Sequence, residues 1–333
     1  MTAEIPLSLL DLATVSTVDT PQSTLANSVR LAQLAESRGF VRHWVAEHHG
    51  MPGVASSSPE ILIAHLAAHT STIRLGSGGI MLPNHVPLKV AERFHTLEAL
   101  HPGRIDLGIG RAPGTDQNTL RALRSFDPNH FPDQLQELRG LSAGTLPPEH
   151  PFARIRVMPD DVQLPPIWLL GSSGASAALA GRLGLGYAFA SHFSPTDPQP
   201  ALDAYRHHFE PSEHFPRPHI ILAAAVIVAD TDEEAQRLAT SWDLAMVRLR
   251  RGVPAPFPTP DEALAYPYSP LEREFIHSHR KLQFIGTADH VTERLRDFVQ
   301  KSGASELMIA TFTYSHTSRA RSLTLLSEAW QNP

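Results

Sequence analysis

Cysteine is absent from all 333 residues. That excludes disulfides, thiol nucleophiles, and zinc or iron–sulfur sites held by thiolates. Any apolar run of ~20 residues, the length a helix needs to cross a bilayer, is also missing. The opening MTAEIPLSLL has Glu4 where a secretion signal carries positive charge, and its apolar run is short. We therefore expect a cytoplasmic protein. Basic residues are outnumbered, with 28 Lys and Arg against 34 Asp and Glu, for a formal charge of -6. There is no long basic run, so nucleic acid is not an expected partner.

Several catalytic signatures are lacking too. None of the expected strand ends carries a GxSxG turn, so a serine-hydrolase elbow is not expected. His65 and His69 stand four apart in HLAAH, but the glutamate of HExxH is missing, and no metal site is expected. Gly108-Ile109-Gly110 follows an apolar run, yet the spacing to Gly114 is one residue too long for a dinucleotide fingerprint and Pro113 lies within it. No acidic residue ends a strand about twenty positions later, as a Rossmann site requires.

What is present is a regular alternation. Ile5 to Leu10 is a short apolar run ending in Asp11. Thr20-Pro21 opens a helix, with Thr20 as N-cap and Pro21 at the first helical position. Leu25, Val29 and Ala32, widened by Leu31, Leu34 and Ala35, give it one apolar face, and Gly39 suits a left-handed cap after it. A strand over 40–46 follows. Strand, helix and strand with short connections make a βαβ unit with parallel neighbours. Further strands are expected at 73–80, 105–109, 166–170, 187–190, 220–229 and 306–310, with helices between them. Eight strands alternating with helices at roughly forty-residue spacing predict an α/β fold of the (β/α)8 barrel type, in preference to a doubly wound open sheet.

We expect one domain over 1–333 with two insertions. The first, after the fourth strand at about 115–164, carries a helix near 133–141 and then a proline-rich stretch. The second, after the seventh strand at about 252–284, is rich in Pro, Tyr and Phe. It reads either as a surface linker or as a flap over the barrel mouth.

Active sites of such barrels lie at the C-terminal strand ends. Here those ends carry Asp11, Glu47-His48-His49, Ser77-Gly78-Gly79, Gly110-Arg111, Gly171-Ser172-Ser173, Ser191-His192 and Thr311. The second strand, FVRHWVAEHHG, stops abruptly in a carboxylate and two imidazoles. Imidazole titrates near neutrality, which makes His48 the candidate proton handler, with Glu47 placed to orient it. Ser172 and Ser173 lie between glycines ahead of a helix, where free N–H groups and the helix dipole favour a phosphate. Arg111 would add positive charge for the same group. Gly76, Gly78 and Gly79 would let a flat ring approach the backbone. A phosphate, a flat surface and an imidazole together suit a flavin mononucleotide. Structural readings stand beside each of these. Gly-Ser-Ser-Gly is common in turns, Arg111 would serve in an ion pair, the glycines would serve barrel curvature, and the polar strand tail would simply reach solvent.

The EHH strand end, the run IRLGSGGIMLPNHVPLKVAERFHTLEALHPGRIDLGIGRAPG and the GSS turn in WLLGSSGASA resemble the bacterial luciferase-like monooxygenases, as do FASHF and ADTDEEAQRLATS. The likeness covers nearly the whole chain and is greatest to the branch of single short chains. The resemblance implies a TIM barrel that takes FMN as reduced FMNH2 from a separate flavin reductase and uses O2 to oxygenate a small organic substrate. It implies that His48 assists the flavin–oxygen chemistry and that Gly78-Gly79 lies against the flavin ring at a position where a non-prolyl cis peptide is frequent. Arg111, Ser172, Ser173 and Ser176 match its phosphate-binding positions, and a homodimer is its usual state. Light emission is not implied, because the luciferases proper pair two different subunits and carry a cysteine near the flavin. Relatives that use F420 for hydride transfer give the alternative reading, and a non-catalytic flavin-binding protein gives a third.

Overall fold

The computed structural model describes residues 5–112 and 114–331; Glu4 and Pro113 lie outside them. The barrel strands are β1 (Leu7–Asp11), β2 (Arg42–Val45), β3 (Arg74–Ser77), β4 (Ile105–Gly110), β5 (Ile167–Gly171), β6 (Gly186–Phe189), β7 (Ile220–Val228) and β8 (Glu306–Ala310). Each pairs in parallel with the next, and β8 pairs with both β7 and β1, which closes the ring. The expected (β/α)8 barrel is therefore the fold. Two accessory strands flank it: Ile80–Met81 runs beside β4, and Gln283–Gly286 pairs with the far end of β7.

The helices are α1 (Pro21–Ser37), α2 (Pro59–Ala68), α3 (Pro87–Leu100), α4 (Gln117–Leu123), α5 (Phe131–Ala143), α6 (Gly174–Arg182), α7 (Gln199–His207), α8 (Asp232–Arg250), α9 (Pro260–Ala265), α10 (Pro270–Arg280), α11 (Ala288–Ser302) and α12 (His316–Gln331). Local chemistry starts many of them. Thr20 and Ser23 form a capping box on α1 with Pro21 in its first turn, and Thr259 with Glu262 does the same on α9. No described helix is long and apolar enough to cross a membrane.

Period-two alternation gives each strand two faces. Leu7, Leu9, Val45, Leu75, Leu107, Leu169 and Leu307 face outward into the core shared with the helices. Leu10, Trp44, Trp168, Ala188, Met308 and Ala310 belong to a second cluster that fills the barrel. Below it, at the N-terminal end, the interior turns ionic. Arg42 of β2 reaches Asp106 of β4 at 2.7 Å and Glu306 of β8 at 2.6 and 2.9 Å. Arg74 adds a second cation at 2.6 Å from Asp106, and the Ser8 hydroxyl donates to Glu306. The Arg42 guanidinium also lies 4.8 Å from the centre of a Trp168 ring. Residues at this end of a barrel serve stability, since the loops that carry chemistry lie at the other.

Three expectations need correction. The third strand, expected unbroken over 73–80, is interrupted after Ser77; the Gly78-Gly79 peptide beyond it is cis, as the family resemblance implied for that position. A Cβ on Gly79 would lie 2.8 Å from the Gly108 carbonyl oxygen, so the chain passes β4 too closely for a side chain. The 115–164 segment holds two α-helices, α4 and α5, where one was expected. The 252–284 segment is no linker. It contains α9, α10 and the start of Gln283–Gly286, and its first part is fastened to the barrel mouth. Phe257 is buried, exchanges backbone hydrogen bonds of 2.8 Å with Val15 and Thr17, and stacks on Trp242 with centroids 5.7 Å apart. The packing of Phe257 on Trp242 of α8 is a contact that periodicity could not reveal in a stretch broken by prolines.

Candidate active site at the barrel mouth

The chain leaves β2 through Ala46, and the next side chain, Glu47, is fully buried. Its carboxylate accepts from the Met81 backbone N–H at 2.9 Å and from Asn84 Nδ2 at 3.2 Å. It also accepts from His49 Nε2 at 2.8 Å and from His85 Nε2, 3.0 Å from both oxygens. Burial alone would raise the Glu47 pKa. The bonds from His49, His85 and Met81 outweigh it and hold the carboxyl at about 2. Glu47 is thus an anionic anchor that ties the 81–85 stretch to the end of β2.

His48 faces a different partner. Its Nδ1 lies 3.1 Å from the Gly114 carbonyl oxygen. A carbonyl only accepts, so Nδ1 carries the hydrogen and Nε2 of the neutral ring keeps its lone pair. Gly114 has φ of +65°, and a Cβ there would sit 3.0 Å from the Glu47 carbonyl oxygen, so glycine is required for this carbonyl to reach His48. Burial lowers the His48 pKa below the usual histidine range, against the Gly114 bond and the Glu47 charge, which raise it. The expectation that Glu47 orients His48 is corrected accordingly. Glu47 holds His49 and His85, and Gly114 holds His48, because the β2 alternation turns residues 47 and 48 to opposite sides.

The residues expected to bind phosphate lie where β4 and β5 run side by side. Their register pairs Leu107 with Ile167, Gly108 with Trp168 and Ile109 with Leu169. Continued by two residues, it brings Arg111 level with Gly171, at the foot of the Ser172-Ser173 turn. Arg111 is exposed and enters no ion pair among the described residues, so the structural ion-pair reading does not hold for it there. Ser173 stands at the N-cap of α6 without a capping hydrogen bond from its side chain, so the first N–H groups of that helix are uncapped by it. Ser176 behaves differently from the expected phosphate ligand. Its hydroxyl donates to the Ser173 carbonyl at 3.0 Å, where the Tyr187 hydroxyl also donates at 3.2 Å. Burial pushes the Tyr187 phenol up to about 12, so it remains a donor. Ser176 and Tyr187 therefore brace the turn from behind.

The glycines near β3 also differ from the expectation. A Cβ on Gly78 would lie 2.7 Å from Leu10 Cδ1, and one on Gly76 would lie 2.7 Å from atoms of Trp44 and Asp106. The volume they release is occupied by the barrel's own side chains. Sequence reasoning missed His85, Gly114 and the aromatic pair Trp242 and Phe312, which stack 3.9 Å apart. The only signal for His85 was its place in PNHVP, five residues past the accessory strand start. No described group of three or more His, Asp or Glu side chains is arranged to hold a metal ion.

One pH-dependent result follows from Glu47. Its folded pKa lies below the ordinary 4.5, so its contribution is present above about pH 4.5 and is lost as the pH falls from there through 2. Wild type should lose roughly 3 kcal/mol of stability across that window from this group. Urea unfolding at pH 6 and pH 3, which spans only part of that window, should show the wild-type advantage over Glu47→Gln shrinking by about 2 kcal/mol. An advantage independent of pH would contradict the assignment.

The luciferase-like monooxygenase family model matches residues 5–306. A luciferase-like monooxygenase of Escherichia coli (strain K12) is 42% identical over 96% of this chain and 96% of its own. The N-acetyl-S-alkylcysteine monooxygenase of Bacillus subtilis (strain 168) is 36% identical over 98% of each chain. The crystal structure of apo-MsnO8 superposes with a TM-score of 0.88 at 39% identity, covering 99% of both chains. The match runs through the barrel and through every strand end described above up to β8, and on that ground this chain belongs to the luciferase-like monooxygenase family.

Proposed function

We propose that the chain is an FMN-dependent monooxygenase that uses reduced flavin and O2 to oxygenate a small organic substrate. The observation that carries this reading is the separation of two sites across one mouth: an anion site of Arg111 with the uncapped α6 start, and a buried neutral imidazole at His48. The residues present fit the cofactor. Arg111 would pair with the phosphate, and the Ser172 and Ser173 hydroxyls with the α6 N–H groups would donate to it. The flavin ring would meet the plane of the Gly78-Gly79 peptide, since no side-chain space is vacated there. Reduced flavin supplies the electrons that activate O2. His48, with Nδ1–H fixed on Gly114, presents Nε2 as the atom that takes or returns a proton. The Glu47 charge favours the imidazolium once the proton has arrived. A dry mouth would limit side reactions of reduced oxygen with water. The chain carries no dinucleotide fingerprint, so we assign flavin reduction to a separate reductase, and we expect a cytoplasmic homodimer.

Anaerobic titration with reduced FMN, and with reduced F420 in parallel, tests the cofactor through tryptophan fluorescence. Reduced FMN should bind, and Arg111→Ala should weaken it by about 10- to 100-fold, the value of one charge-assisted contact to phosphate. Preference for F420 would replace oxygenation with hydride transfer. FMN binding without substrate-dependent oxygen uptake would make the protein a flavin carrier.

A further inference from the structure

Inward-facing positions can be followed beyond the strands. On β2 they are Trp44 and then residues 46 and 48, and on β8 Met308, Ala310 and Phe312; beyond β6 the chain turns over 191–193, and the His192 ring comes to 6.3 Å from Phe312. The layer above the barrel core therefore includes His48, His192 and Phe312. β2 and β6 are four strands apart in a ring of eight, hence diametrically opposed. Two side chains from opposite walls share the centre of the mouth.

His192 has no role in the reading above. It is 8% exposed, and its Nδ1 is buried without a hydrogen-bond partner among the described residues. Such an atom costs stability unless something bonds it. Its ring packs edge-on to Phe193 at 4.7 Å and tilted to Phe312 at 6.3 Å. Phe312 in turn stacks flat on Trp242, which also packs on Phe257 and His279. Burial, and then the nearby His48, push the His192 pKa down to about 4, so the ring is neutral at neutral pH. His48 is the one titratable group with a resolved electrostatic effect on it. A carboxylate placed beside His192 would lose hydration to two imidazoles that burial keeps neutral.

We propose that His192 is a substrate-binding residue, whose Nδ1 forms a hydrogen bond with an uncharged polar atom of a small organic molecule at the barrel mouth. The identity of that molecule as the substrate rests on the oxygenase reading. The subsite itself does not, and it is testable without flavin.

The probes are benzamide and benzoate, which share a shape and differ in charge. Full-length protein labelled with 15N at histidine is titrated with each. Benzamide should bind and shift the His192 imidazole signals, and benzoate should bind at least about tenfold more weakly. His192→Phe keeps the ring packing and removes the nitrogen; it should weaken benzamide by about five- to tenfold. His192→Gln, which retains a hydrogen-bonding group, should recover part of that loss. Reduced FMN affinity should stay within about twofold in both variants. Equal benzamide binding in wild type and His192→Phe overturns the proposal, as does a preference for benzoate or no benzamide binding up to its solubility limit. Failure of reduced FMN to bind wild type would count against the flavin reading alone.

Discussion

Arg42→Ala is expected to lower the unfolding free energy by about 3–5 kcal/mol, the cost of removing one partner from a buried ion pair. Arg42 bridges two carboxylates inside the barrel, Asp106 and Glu306, and all three are nearly inaccessible. Burial pushes both carboxyls up, and the Arg42 charge is the largest influence that brings each of them below the usual range. Without it, Asp106 keeps Arg74 and the Trp44 indole N–H, at 2.6 and 3.1 Å. Glu306 keeps the Ser8 hydroxyl and a His219 ring 3.3 Å away. Glu306 is therefore left worse satisfied, and Arg42→Ala should be rescued in part by Glu306→Gln in the same chain. Urea unfolding of the single and double variants measures this. A loss below about 1 kcal/mol in Arg42→Ala, typical of an exposed pair, would contradict the role given to the ionic layer.

The second large effect concerns the mouth. His48→Ala should lower substrate-dependent oxygen uptake by about 10²- to 10⁴-fold, the usual range for a positioned proton-transfer group. Reduced FMN affinity should change only a few-fold, because the phosphate site proposed above is at the ends of β4 and β5. The pH profile carries a further signature. Burial holds the His48 pKa below the usual 6.5, so the acid limb assigned to this group should fall below that pH. Product formation by mass spectrometry alongside oxygen uptake separates turnover from uncoupled peroxide release. Intact turnover in His48→Ala would remove the proton-handling role.

Much of the fold was legible because its signals are local. Thr20-Pro21 and its capping box, the apolar strand runs and the acidic first turn of α8 each involve residues within a few positions of one another. The spacing of those units implied a closed barrel, and the closed barrel implied where to look for chemistry. The break after Ser77 was not legible in the apolar run, and the close approach of Gly79 to the Gly108 carbonyl involves the next barrel strand. Arg42 was hidden in a run that otherwise reads as apolar, and its partners lie 64 and 264 residues away.

The sequence by itself determined the (β/α)8 framework and the stock of groups at its mouth: His48, Glu47, Arg111, Ser172, Ser173 and His192. Periodicity, caps and turn chemistry act over a few residues, so the chain states them directly. Tertiary structure alone decided which of those groups meet. It gave Glu47 to His49 and His85, and His48 to the carbonyl of Gly114, 66 residues on. It turned Ser176 back onto its own turn, and filled the space beside Gly76 and Gly78 with Trp44, Asp106 and Leu10. Ring closure sets which strand ends face each other, and that depends on the register of all eight strands together, which no local stretch encodes.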